Sequence, residues 1–312
     1  MELTRRELLG LGLGLGGGAL ALTAMTGCGP TDADSPLRLA SGERGGTYLQ
    51  FAENLRDRVV ARGPGGLTVV ETEGSDANVA LLRAARADLG LCLADLAAER
   101  AGDLLAVGRV YQNYLQCLVR SDSDLAVAAD LSGCAVSVGA PGSGATLAAR
   151  RMLDAVTAHG GAASARQLPL RSALDALEAR ELDAVFFSGG VPIPELVDHP
   201  PRSGVRLLDL SAPAEDLRRT WPEFYRTAEI TAGVYPGQRD VTTVGIPNLL
   251  LVRPEVDSDA VRRLVDVLLD EAPRLVPPGT LGVQYLTESS LIDTAPIALH
   301  PDALAAYRDR YG

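Results

Sequence analysis

The chain has 312 residues, 46% of them hydrophobic and 4% aromatic, with 29 basic against 40 acidic side chains and a formal net charge of −11. Every basic residue is arginine, so the chain has no Schiff-base amine, no phosphate-loop lysine and no SxxK acylating pair. The acidic balance argues against a nucleic-acid binder, and His159, His199 and His300 lack the spacing of a metal site.

The chain opens with Arg5-Arg6 followed by Leu8-Leu9, the pattern of a twin-arginine export signal. An apolar, glycine-rich run follows from Leu9 to Met25, and Met25-Thr26-Gly27-Cys28 has the form of a lipobox. Residues 1–28 therefore read as an export and lipoprotein signal, with Cys28 as the lipidated residue. The other reading, a membrane helix, meets a run just short of a comfortable span and no basic cluster after it. Residues 29–36 are small, polar and flanked by proline, which suits a flexible tether. Three further cysteines, Cys92, Cys117 and Cys134, sit in apolar runs; buried free thiols are expected, with one disulfide left open.

From Leu37 onward strands alternate with helices. Leu37–Ala40 reads as a strand, and Tyr48, Phe51, Ala52, Leu55 and Val59 recur at helical spacing. Leu67–Thr72 is a strand. Gly74-Ser75 opens a helix bearing Val79, Leu82 and Ala85, with Ser75 placed to cap it. Leu89–Leu93, Leu104–Val110, Leu115–Val119 and Cys134–Gly139 read as strands. Ala149, Met152, Leu153 and Val156 share a helix face, and Leu174 with Leu177 marks another helix. Ala184–Phe187 and Val205–Leu210 are strands, Thr242–Val252 is a strand region broken by Pro247, and Val261, Leu264, Val265, Leu268 and Leu269 mark the last clear helix. Such alternation implies parallel sheets covered by helices, with ligand sites at the carboxyl ends of the strands.

Two glycine loops stand out, Gly45-Gly46-Thr47-Tyr48 and Gly139 to Thr146. Each ends where a helix begins, and there unpaired N–H groups and the helix dipole favour an anion. Hydroxyls of Thr47, Ser75 and Ser143 could add donors. Two ordinary strand-to-helix turns would read the same way. The second loop fits GxxxxGK[ST] in spacing, but Ala145 stands where lysine is required, which argues against a nucleotide triphosphatase. Ser143 lies in Pro-Gly-Ser-Gly rather than GxSxG, no triad partner is recognisable, and no enzyme activity or cofactor is expected.

The order of these motifs resembles the TAXI-type solute-binding receptors of TRAP transporters, over about Leu37 to Gly312. The motifs are Gly45-Gly-Thr-Tyr48, Gly74-Ser-Asp-Ala-Asn78, Ala87-Asp-Leu-Gly-Leu with Asp95, Val138 to Gly144, Phe186 to Pro194, Ala232 to Gln238 and Leu299-His-Pro301. The resemblance implies an α/β type II periplasmic-binding-protein fold, two lobes with a central ligand cleft. Residues 37–122 and 239–312 would form the first lobe and 123–238 the second, with crossings near 120–126 and 235–241. It further implies a small carboxylate or amino-acid ligand, such as glutamate, glutamine or 2-oxoglutarate, passed to a TRAP-type permease by a lipid-anchored, extracytoplasmic monomer. A binding module that signals without transport is the alternative, and an exported enzyme is a further one.

By position the resemblance carries ligand contacts onto Gly46, Thr47, Tyr48, Ser75, Asn78, Asp95, Tyr111, Ser143, Gly144, Gly190, Val191 and Tyr235. Asp95 could instead cap its own helix, Tyr111 could be core packing, and Tyr235 could be a hinge or cleft wall. The sequence departs from the family pattern at Glu43-Arg44, Leu93, Gln112-Asn113 and Ala145. Arg44 could pair with a ligand carboxylate or, as a solvated loop residue, with Glu43.

Overall fold

A computed structural model describes residues 35–63, 66–157, 161–276 and 286–311. The signal with Cys28, residues 29–34 of the tether, and His159 lie outside the described residues. No helix among the described residues is long and apolar enough to cross a membrane.

The first half opens with β1 (Leu37–Ala40), α1 (Thr47–Ala61), β2 (Leu67–Val70), α2 (Ser75–Arg83), β3 (Leu89–Leu93) and α3 (Ala94–Arg100). A long strand, β4 (Leu105–Arg120), leads to β5 (Ala135–Ser137), α4 (Ala145–Thr157), β6 (Ser164–Arg166), α5 (Leu170–Glu178) and β7 (Ala184–Gly189). Then come α6 (Pro194–Asp198), β8 (Val205–Leu207), α7 (Ser211–Thr220), β9 (Arg226–Ile230) and the second long strand, β10 (Val241–Val252). The chain closes with α8 (Ser258–Asp270), α9 (Ala272–Leu275), α10 (Glu288–Leu291) and α11 (Pro301–Tyr311).

The sheet runs β2-β1-β3-β10-β4-β7-β5-β6, with β8 added to β4 and β9 to β10. Its two ends are parallel, β1 lying between β2 and β3, and β5 between β6 and β7. Between them β10 and β4 run antiparallel and join the ends. The chain leaves β1 through α1 to one neighbour and returns through α2 to the other; β5 is left and regained in the same way through α4 and α5. Each is a point where the strand order reverses, and there the loops splay apart and leave a crevice. The glycine loops after β1 and β5 are the loops at these two points.

The helices form where the apolar spacing placed them. Tyr48, Phe51, Ala52 and Leu55 of α1, and Val261, Leu264, Val265 and Leu268 of α8, are buried in one core cluster against β1, β3 and β10. Asp257 caps α8, its carboxylate accepting from the N–H groups of Asp259 and Ala260 at 3.1 Å each. Cys92, Cys117 and Cys134 are all free thiols, the first two buried.

The long strands depart from expectation. Residues 105–120 form one strand rather than two, although Gln112 and Asn113 interrupt its apolar run. Pro247 does not break β10. Residues 241–245 pair with β9 and residues 248–252 pair with β3, so Pro247 falls where that edge changes partner and no N–H is needed. The strands exchange neighbours near 111–114 in β4 and 245–248 in β10; the expected crossings, near 120–126 and 235–241, lie at the far ends of these same strands.

Candidate functional site

A cleft opens between the two glycine loops, with about 360 Å³ of empty space counted out to its mouth. Gly46, Thr47 and Tyr48 at the start of α1 form one wall, with Gly74 and Ser75 at the start of α2. Ser143, Gly144 and Ala145 at the start of α4 form the facing wall, and Phe187 and Ser188 come from the end of β7.

The two walls are already in contact. The Gly142 carbonyl accepts from the N–H groups of Asp76 (3.0 Å) and Ala77 (3.1 Å), so the first turn of α2 is capped by the loop opposite. Ser75 was expected to cap α2; instead Gly74 is the N-cap, and Ser75 Oγ accepts from Leu93 N–H at 3.1 Å. Gly144 sits so close to the other wall that a Cβ there would lie 2.5 Å from Ser75 Oγ. Thr47 Oγ1 accepts from the Gly190 N–H at 2.8 Å, a second bond joining the loop after β1 to the loop after β7.

Across the floor runs a chain of buried polar side chains. Tyr48 Oη lies 3.1 Å from Ser75 Oγ and donates to Asn248 Oδ1 at 2.5 Å. Asn248 Nδ2 donates to Asn113 Oδ1 at 2.7 Å, and Asn113 Nδ2 to the Ser188 carbonyl at 3.2 Å. Asn113 and Asn248 are thereby satisfied although almost wholly buried in the two crossing strands. Burial pushes the Tyr48 phenol well above its usual range, so it serves as a donor or acceptor and not as a base.

Of the residues singled out by resemblance, Gly46, Thr47, Tyr48, Ser75, Ser143 and Gly144 come together here. The others lie behind the walls. Asn78 is fully buried: its amide donates to the carbonyls of Ser41 and Leu91 at 2.7 Å each, and its oxygen accepts from Thr72 Oγ1 at 2.6 Å. Asp95, in the first turn of α3, is fully buried, accepting from Leu96 N–H (2.9 Å) and Tyr225 Oη (2.6 Å), with Arg151 at 3.6 Å. Burial raises its pKa, while Tyr225 and Arg151 oppose the rise. Tyr111 packs on Phe51 and Tyr48 in the core, its hydroxyl without a partner among the described residues. Gly190 lies behind Thr47, Val191 is buried in the second half's core, and Tyr235 Oη bridges Ile193 N–H and Gln116, both at 2.7 Å.

Arg44 turns away from the cleft. Its side chain is 83% exposed and makes a two-pronged pair with Glu71 at 2.7 and 2.8 Å, not with Glu43. Glu43 lines the cleft instead, one oxygen accepting from the Leu170 N–H at 2.9 Å where α5 begins. Burial raises its pKa to about 7; the Leu170 N–H opposes this, and Glu73 and Glu195 add to it. Glu73 is a second carboxylate on the wall. Glu43 and Asn113 stood out from sequence only as departures from the family pattern, Phe187 and Ser188 only as part of the Phe186 to Pro194 motif, and Glu73 and Asn248 not at all. Their signal was present, since Glu43, Glu73 and Ser188 adjoin the glycine loops, and Asn113 and Asn248 are amides inside apolar strands. Among the described residues no group of histidine, cysteine and acidic side chains could hold a metal ion.

The fold is shared with known proteins. An ancestral arginine-binding protein bound to arginine matches with a TM-score of 0.51 and 14% identity, over 77% of this chain and 95% of that one. The substrate binding protein of an amino acid ABC transporter matches with a TM-score of 0.50 and 11% identity, over 77% and 96%. The fold is that of the type II periplasmic binding proteins, two parallel-sheet ends joined by long antiparallel strands. Residues 39–310 match the NMT1-like family, and the chain belongs to that family.

Proposed function

We propose that the protein is an extracytoplasmic solute-binding receptor that closes its cleft on a small amino acid or carboxylate and delivers it to a membrane permease. The observation that carries this reading is the cleft itself. Two loops at strand-order reversals face each other across it, and α1 and α4 both begin at its walls. Backbone N–H groups and helix dipoles there suit one carboxylate without a lysine or arginine. The likeness to structures described as an arginine-binding protein and an amino-acid transporter's binding protein supports the same class of ligand.

The finer reading follows the sequence. The ordered motifs from Gly45 to Pro301 resemble those of TAXI receptors, which supports a TRAP-type permease as the partner. The Arg5-Arg6 signal and Cys28 give export in the folded state and a lipid anchor on the outer face of the cytoplasmic membrane. Among the described residues no histidine lines the cleft beside Ser143, whose Oγ accepts from Ala145 N–H at 3.0 Å, which supports binding rather than turnover.

A melting screen over amino acids and small carboxylates tests this. A true ligand at a hundred times its Kd adds about 2.7 kcal/mol, which for a domain of this size raises Tm by roughly 5 °C. A screen in which no compound moves Tm by as much as a degree contradicts the receptor reading. Loss of uptake of the same compound in cells lacking the protein would separate transport from sensing.

A further inference from the structure

The charges on the cleft identify what its ligand must carry. No arginine lines it among the described residues, while Glu43 and Glu73 both do. The cations nearest in sequence are committed elsewhere, Arg44 to Glu71 and Arg171 to Glu195 at 2.7 Å. Glu195 in turn packs against the Gly45 loop, but Arg171 offsets its charge, so Glu43 and Glu73 are the acids the cleft presents. Only helix N-termini offset these acids, at about half a charge each. A dianion entering the cleft would meet like charges with no side-chain cation to receive it, and like charges at close range cost several kT where water is largely excluded.

Resting on the receptor reading above, we propose that the cleft selects solutes bearing a positively charged nitrogen, held between Glu43 and Glu73, with at most one carboxylate at the helix starts. Amino acids and other organic amines enter. Dicarboxylates such as glutarate and 2-oxoglutarate, which lack the nitrogen, are rejected. Glu43 is the residue that senses the nitrogen: one of its oxygens is fixed by the Leu170 N–H, and its carboxylate is largely withdrawn from water. Its proton affinity is high because of that burial and because Glu73 and Glu195 face it, and a bound ammonium or guanidinium removes the cause.

The sign follows. With a free-state pKa of about 7, Glu43 is near half-protonated at pH 7, and a cation drives the proton off. Binding of an amine should release about 0.3–0.5 proton at pH 7, and affinity should rise roughly tenfold from pH 6 to pH 8. A dianion would have the opposite linkage, taking up a proton. Titration calorimetry at pH 7 in phosphate and in Tris reads the proton count directly. The probes are the twenty amino acids, putrescine, glutarate and 2-oxoglutarate. The proposal expects at least one amino compound to bind with proton release, and the two dicarboxylates to bind at least 50-fold more weakly.

The Glu43→Gln variant can still accept from the Leu170 N–H, so it removes the charge while keeping the fold contact. In it the proton release should vanish and amine affinity fall at least tenfold, with dicarboxylate binding unchanged or stronger. A dicarboxylate bound tightly with proton uptake, or an amine bound with no proton exchange in the wild type, overturns the charge assignment and leaves the receptor reading standing. If none of the probes binds, both fall.

Discussion

Replacing Gly144 with valine is expected to weaken ligand binding at least a hundredfold while leaving the unliganded protein folded. The first added carbon would lie 2.5 Å from Ser75 Oγ, 2.9 Å from Ser75 Cβ and 3.0 Å from Leu93 Cδ1. Separations below 3 Å do not occur between real atoms of these kinds, so the two walls must part. Gly144 does not adopt a left-handed backbone, which leaves space rather than strain as the reason for glycine. In a protein that binds only when closed, apparent affinity falls by the fraction of closed molecules, and about 2.7 kcal/mol against closure is a hundredfold. Parting the walls also breaks the bonds from Asp76 and Ala77 to the Gly142 carbonyl, which belong to the closed arrangement. Titration calorimetry with the ligand found by the melting screen, beside circular dichroism of both proteins, checks this. Near-normal affinity in the valine variant would show that the contact between Gly144 and Ser75 has no part in binding.

Asn78→Ala is expected to cost stability before it costs affinity. The side chain has no exposed surface and satisfies two buried backbone carbonyls, of Ser41 just past β1 and of Leu91 midway along β3. An orphaned buried group costs about 1–3 kcal/mol, so two give roughly 2–6 kcal/mol. Urea unfolding should show a loss in that range, and melting should fall by roughly 5–10 °C. A stability loss below about 1 kcal/mol with a large loss of affinity would return Asn78 to the ligand contacts that the family resemblance gave it.

The legible parts of the fold are those whose cause is local. α1 and α8 carry their apolar residues at helical spacing, and the glycine loops announce strand-to-helix turns. β4 and β10 are different. Gln112, Asn113 and Pro247 read as interruptions, yet Asn113 is paid for by Asn248, 135 residues away, and Pro247 by a change of neighbour that no local pattern encodes. The same distinction holds in the site. Thr47, Ser75 and Ser143 were found because they belong to the loops themselves. Of the two readings of Arg44 the solvated loop residue is the one found, but its partner is Glu71, 27 residues on, which leaves the adjacent Glu43 to face the cleft. Asn78 and Asp95 occupy motif positions, but their polar atoms are spent inside the fold.

The most direct test of the cleft as a solute site is a crystal structure of the protein with the compound that most raises its Tm. The account predicts density between Thr47, Ser75 and Ser143, with a nitrogen within hydrogen-bond distance of Glu43 and a carboxylate at the starts of α1 and α4. The compound bound elsewhere, with this cleft holding only water, would contradict it.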